Sequence, residues 1–453
     1  MKHDFKKAKR KLFGNSPGKS KKKRGVRSGN SNGIDILCGF LIFAILLVFT
    51  PVLITGVDLI ATNKKTTTTN DVVEDTDNPV ETESTVLGVT GLFNNESGAL
   101  TLTDDAANVA AYSTTTDGEY VSVTNDLDNY FPFNQIEEFT DENGNVFVKY
   151  PQLWMKWDIN DEGFVTGYKF ADHQIDDSYF VPDAFLDPRD LDGNTYLEYF
   201  ALGKYEMSGT AEQGFSKSGQ TVLTNITRDQ ARIAARSYGS ADNYYNGYQQ
   251  LDIAQYSLFN LMAMMYFQTM NIQNVYVGRT DFTYVDGAAQ TGTTDGVTGL
   301  NGWNTTTHCT KILGIEGAYD NVGKWVDGFN SVDGVAYVHR YPQHYADDIE
   351  NASELGFALP IDIEGIVNGF KNGTGNNKSF IFAASAMASE SAENLNLYTG
   401  DYCYYSSEIK CGVLVVGGYW FGGSYSGLWS ADSSVGASAA CPYFGARLSY
   451  RPL

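Results

Sequence analysis

Residues 416–450 read VGGYWFGGSYSGLWSADSSVGASAACPYFGARLSY. Glycine, serine and alanine alternate here with Tyr419, Trp420, Phe421, Tyr425, Trp429, Tyr443 and Phe444, and the only charged side chains are Asp432 and Arg447. The pattern is that of glycine-rich loops leaving a strand-like run, CGVLVV, with small residues set between rings. Trp420, Trp429 and Leu448 are expected in a β core, whereas glycine, serine and aspartate fill a core badly and belong at the surface. The whole chain carries 29 tyrosines. Tyrosine fills cores and also builds contact surfaces at low entropic cost, so the excess suits a binding protein.

Upstream of this segment, from Asn271, short strand-like runs alternate with glycine-rich turns: NVYVGRT, TKILGIEGAY, GVAYVHRY and SFIFAASA. Two helices precede them. Thr227 stands as an N-cap before RDQARIAARSYG, which ends at Gly239 and places Ile233, Ala234 and Tyr238 at helical spacing. A second helix runs from Asp252 through LFNLMAMMYFQTM and is apolar nearly all round, which predicts burial on several sides. Gln255, Asn260 and Gln268 interrupt it, so it is not read as a membrane span. Met262, Met264, Met265 and Met270 are expected to fill core rather than bind a metal or cofactor. These features predict an α+β fold, with two helices on small twisted antiparallel sheets and long loops.

The rest of the chain divides by composition into a basic tail (1–33), an apolar span (34–54), a polar stalk (55–85), a β-rich spacer (86–130) and a further β-rich region (131–198), ahead of the 199–453 domain. Residues 34–54, IDILCGFLIFAILLVFTPVLI, are long enough to cross a bilayer as a helix. The apolar stretch is longer than a signal-peptide core, and no A-x-A-like cleavage site follows it. Of the 32 lysines and arginines, 12 lie between Lys2 and Arg27, which predicts a cytoplasmic N-terminus and an exterior C-terminal domain in the cell membrane. From Thr55 onward 20 basic residues face 52 acidic ones, a formal charge of −32. Such a surface repels nucleic acid, and no nucleic-acid partner is expected.

No HExxH, P-loop or strand-to-helix GxGxxG occurs. His339 and His344 are five apart, a spacing helix geometry does not favour for one metal. His308 and Cys309 are neighbours, and neighbours on a strand point to opposite faces. DPRDLDGNTYLE (187–198) lacks the full calcium-loop spacing and reads as a solvated turn. Cys403 and Cys411 flank YYSSEIK, where a cross-hairpin disulfide and two thiols both remain open. The expectation is therefore no enzyme, no cofactor and no metal.

Three stretches carry a family resemblance. YFALGKYEMSG (199–209) resembles the opening strand of the formylglycine-generating-enzyme branch of the C-type lectin fold. GAYDNVGKWVDGF (317–329) is similar to its G-N-V-x-E-W signature, with Asp320 in place of glycine and Lys324 in place of glutamate. Residues 416–450 resemble the variable C-terminal segment of proteins diversified by retroelements and of related prophage tail proteins. Its framework of Gly417, Gly418, Trp420, Ser424, Gly427, Trp429, Gly445, Ala446, Arg447 and Leu448 is present. The resemblance covers 199–453 and extends back to Phe131.

The resemblance implies a C-type-lectin-like domain whose ligand-binding side chains vary on a fixed backbone. The matching positions are Tyr419, Phe421, Gly422, Tyr425, Asp432, Ser434, Val435, Ala439, Cys441 and Tyr443. Adenine mutagenesis of AAC codons excludes Lys, Glu, Gln, Met and Trp, and none of these occupies the ten positions. The expected function is a membrane-anchored surface receptor or adhesin for an external protein or glycan, held in the membrane through residues 34–54. A phage or prophage tail receptor-binding protein and an envelope enzyme related to formylglycine-generating proteins are the alternatives.

Overall fold

The computed structural model describes residues 84–239, 246–363, 365–388 and 397–453. The basic tail, the 34–54 span and nearly all of the stalk lie outside the described residues. Among the described residues no helix is long and apolar enough to cross a membrane. The expected single-pass placement in the cell membrane is corrected accordingly, since no helix among the described residues supports it.

Strands dominate the described residues, which hold 25 strands and two α-helices. The expected α+β, C-type-lectin-like class is corrected to a β-rich fold. Both helices lie where the sequence puts them, but they are only 8 and 15 residues long. The backbone groups of the intervening Val- and Tyr-rich runs must be paired when buried, and they pair into sheets larger than expected. The largest has nine strands, in the path Ser353–Ala358, Val335–Val338, Gly323–Val332, Gly412–Gly417, Ala431–Val435, Tyr402–Tyr404, Gly365–Asn372 and Ile381–Ala388, with Phe444–Gly445 alongside Gly323–Val332. Two five-stranded sheets flank this path in sequence. One seats Leu448–Tyr450 between Tyr248–Gln250 and Tyr199–Gly203, and the other pairs Tyr120–Thr124 with Asn301–Asn304. One hydrophobic core takes in residues from Leu87 to Ala431.

Helix α1 (Arg228–Ala235) begins as expected. Thr227 Oγ1 accepts from Gln230 N at 3.1 Å, and Gln230 Oε1 accepts from Thr227 N at 2.9 Å, a reciprocal cap that satisfies two donors the helix cannot pair itself. The buried face differs from the expected one. Ile233 is 52% exposed, and Arg228, Ala231, Arg232, Ala234 and Ala235 face inward. Arg232 grips Asp327 through Nη2–Oδ1 (2.6 Å) and Nε–Oδ2 (2.9 Å), and Arg228 Nη1 donates to Phe329 O at 2.7 Å. Burial of two arginines is possible because strand Gly323–Val332 supplies their acceptors.

Helix α2 (Ile253–Phe267) is capped by Asp252, which accepts from Gln255 N at 2.9 Å, and all of its residues are buried. Met262, Met264, Met265 and Met270 lie in the core. Two polar side chains of the helix share one acceptor. Asn260 Nδ2 donates to Leu428 O at 2.7 Å, and Tyr256 Oη donates to the same oxygen at 2.5 Å.

Lys324 and Asp320 both have structural roles. Lys324 Nζ pairs with Glu206 at 2.9 Å, each side chain almost wholly buried. Asp320 accepts from Arg279 N (2.8 Å), Thr310 N (3.1 Å) and Thr310 Oγ1 (3.0 Å). Arg447, also buried, donates to Gly203 O at 2.7 Å and Gly317 O at 3.0 Å and so ties together the 199–209, 317–329 and 416–450 stretches.

Candidate ligand-binding surface

Strand Gly412–Gly417 lies between Gly323–Val332 and Ala431–Val435. Residues 418–430 are therefore an excursion between two neighbouring antiparallel strands. The loop closes on itself through Gly417 N to Ser430 O (2.9 Å) and Gly427 N to Gly417 O (3.1 Å). Its two tryptophans fix it from beneath. Trp429 packs on Phe370 at 4.7 Å, and its N donates to Asp401 Oδ2 at 2.6 Å. Trp420 donates from Nε1 to Thr283 O (3.1 Å) and from N to Asn321 O (3.0 Å), while its O accepts from Phe282 N (2.8 Å). Gly418 permits the tight crossing, since a β-carbon there would lie 2.0 Å from Ser426 Oγ.

This anchored backbone brings three of the ten predicted residues into ring contact. Tyr419 lies 4.5 Å from Phe421 and 4.8 Å from Tyr443, and Phe421 meets Tyr443 edge-on at 5.3 Å. All three are half-buried. Burial, followed by the nearby negative charge of Asp432, pushes the Tyr419 hydroxyl up to about 12, so at neutral pH it is a protonated donor. Tyr425 is 48% exposed on a short 3-10 turn, Gly423–Tyr425, and stands edge-on to Tyr402 at 4.6 Å. Asp432, Ser434, Val435 and Ala439 are half-buried along the return strand and the turn after it, with Asp432 Oδ1 accepting from Ser434 N at 2.7 Å. Gly422 and Cys441 are buried. The carbonyl of Cys441 accepts from Asn225 N and Phe444 N.

Residues 282–290 adjoin this cluster, and sequence reasoning passed over them. Tyr284 packs edge-on against Phe421 at 5.2 Å and stacks on Trp420 at 6.2 Å. Val285 beside it is 88% exposed. An open cleft of about 460 Å³ lies between this loop, Val222, Trp420 and Pro442. The available signal was the pair of aromatics in DFTYVDG, which resembles the ring density of residues 416–450 on a smaller scale. Tyr402 gave no signal apart from its strand.

The remaining candidates resolve as structure. Cys309 is buried, which pushes its thiol well above the usual range and away from nucleophilic use. His308 lies edge-on to Phe282 at 5.4 Å. Asp187 is held by Arg189, with Nε–Oδ1 at 2.8 Å, and Asp190 accepts from Asp192 N and Asn194 N, so the 187–194 turn is closed by its own side chains. Among the described residues no cluster of His, Cys, Asp and Glu has the arrangement to hold a metal ion. No disulfide joins Cys309, Cys403, Cys411 and Cys441.

No known protein family and no curated protein matches the chain. Solved structures similar to it include PvdO from Pseudomonas aeruginosa, at 12% identity and a TM-score of 0.28 over 70% of this chain and 98% of that one. They also include the Major Tropism Determinant P3c variant, at 13% identity and 0.28, and the I1 variant, at 12% and 0.27, each over 82% of this chain and 73% of the other. A likeness at such scores does not say what this chain binds.

Proposed function

We propose that the chain is a receptor-binding protein of the phage-tail type, an adhesin that engages an external ligand through the face formed by residues 419–443. No catalysed reaction is part of this reading. The observation that carries it is the contact of Tyr419, Phe421 and Tyr443 on a loop whose two tryptophans fix the backbone. Rigid aromatic anchors lose little entropy on binding, and half-buried rings with a protonated hydroxyl offer both apolar area and directed hydrogen bonds. Diversification of the ten positions by a retroelement is part of the proposal. Residues 34–54 have no part in it.

Two measurements test it. Mass spectrometry of purified virions from the source strain should find the intact chain. The fluorescently labelled protein should bind a subset of a panel of bacterial strains, and Tyr425→Ala together with Phe421→Ser should abolish that binding. Absence from virions together with uniform staining of all strains would sink the reading.

A further inference from the structure

We infer that the 282–290 loop and the cleft beside it form a second, fixed half of the binding surface. The cleft takes an apolar side chain from a loop of a protein partner whose flanking residues are lysine or arginine. This rests on the reading of residues 419–443 as the ligand-binding face. The two halves share a wall, because Tyr284 touches both Phe421 and Trp420 while also lining the cleft with Val285 and Ala288.

The lining selects the class of occupant. It contains no Asp, Glu, Lys, Arg or His; its polar side-chain groups are the hydroxyls of Thr221, Thr224 and Tyr284, the amide of Gln290 and the indole N–H of Trp420, which already donates to Thr283 O. A sugar ring carries several hydroxyls that need directional partners, and leaving them unpaired on burial is costly. An apolar side chain has no such need, and a cleft of about 460 Å³ is within the range of ligand pockets. Val285, at 88% exposure, has its apolar surface in water and supplies the partner's contact at the rim.

The charges around the cleft select the flanking residues. Asp281, immediately before the loop, and Asp286, within it, are exposed. Arg279, the one basic residue of 278–290, is already engaged: its guanidinium donates to Thr307 O (3.1 Å) and Gly287 O (3.0 Å) and lies 4.0 Å over the Phe282 ring. Two exposed carboxylates against one buried guanidinium leave this segment net negative beside an uncharged cleft, which complements cationic residues next to an apolar anchor.

The test is selection of a displayed library of random peptides about twelve residues long on the full-length protein, followed by titration of the synthetic peptides recovered. Three variants are compared with the parent: Val285→Ser, Ala288→Leu and Phe421→Ser. The expected peptides carry an aromatic or branched aliphatic residue beside Lys or Arg. Val285→Ser and Ala288→Leu should each weaken them at least about tenfold, the former with an unchanged thermal transition. Weakening by Phe421→Ser alone overturns the role of the 282–290 loop and leaves the aromatic face standing. Indifference to all three variants overturns both. Recovery of acidic peptides, or of none, overturns the partner class, as does a glycan from an immobilised panel whose binding depends on Val285.

Discussion

Gly427 presses directly on the buried carboxylate of Asp401: a β-carbon at 427 would lie 1.7 Å from Asp401 Oδ1, while Oδ2 of the same group accepts from Trp429 N at 2.6 Å. The loop bearing the candidate surface is thus seated on a side chain from another part of the chain. Burial pushes the Asp401 carboxyl well above its usual range, because a charge there is cut off from water.

Gly427→Ala should therefore destabilise the protein, by about 2–3 kcal/mol as overpacking against a buried group does. Urea denaturation followed by tryptophan fluorescence reads this. An unchanged midpoint would show that the loop is not seated on Asp401.

Asp327→Ala removes the buried acceptor of Arg232 and leaves that guanidinium without its main partner. The expected cost is about 3–5 kcal/mol, the range for breaking a buried pair. Chemical denaturation checks it, and a loss below about 1 kcal/mol would show that Asp229 and Asp347, which also reach Arg232, suffice.

Glu316 is buried and its carboxyl is pushed up to about 7, chiefly by burial and against hydrogen bonds from Thr294 and Gly292. A carboxyl raised in the folded state binds its proton more tightly there than in the unfolded chain. Its contribution is therefore whole below about pH 4.5 and declines as the pH rises to about 7. The decline is up to about 3 kcal/mol. Thermal unfolding of the parent and Glu316→Gln at pH 5 and pH 8 should show a parent transition that falls more steeply with pH than the variant's. Parallel falls would mean that Glu316 does not set the pH dependence.

Saturation mutagenesis of the ten positions should divide them. Substitution of Tyr425, which is exposed, should change stability by no more than about 0.5 kcal/mol. Side chains at Gly422 should be tolerated poorly, because a β-carbon there would lie 2.5 Å from Ser426 Oγ. Display yield across the library reads the difference, and equal tolerance at 422 and 425 would contradict the packing described.

Sequencing the coding region for residues 416–450 across a natural population should find substitutions concentrated at the ten positions, fewest at the tightly packed Gly422, with an adenine-bearing near-copy and a reverse transcriptase gene nearby. A uniform segment without such a copy would make the surface a fixed one.

Local features were legible in the sequence. Thr227 and Asp252 declared the helix starts because each cap is completed within three residues, by Gln230 and Gln255. The tryptophans at 420 and 429 declared themselves as core because few surface sites suit so large a ring. Periodicity misled at α1, where Ile233 faces out, because an arginine with a carboxylate waiting across the gap can occupy a buried position that pattern reading reserves for apolar residues.

The order of residues specifies the local chemistry of the chain: two capped helices, glycine-rich turns, and a segment of rings and small residues at 416–450. Tertiary structure alone decided how far the strands extend into sheets, which made the fold β-rich, and which side chains meet. Val121 opposite Trp303, Tyr284 against Phe421 and Asp401 under Gly427 join residues far apart in the chain. No local propensity encodes such partners, since the free energy that selects them comes from burial and from pairing groups that meet only after the chain has closed on itself.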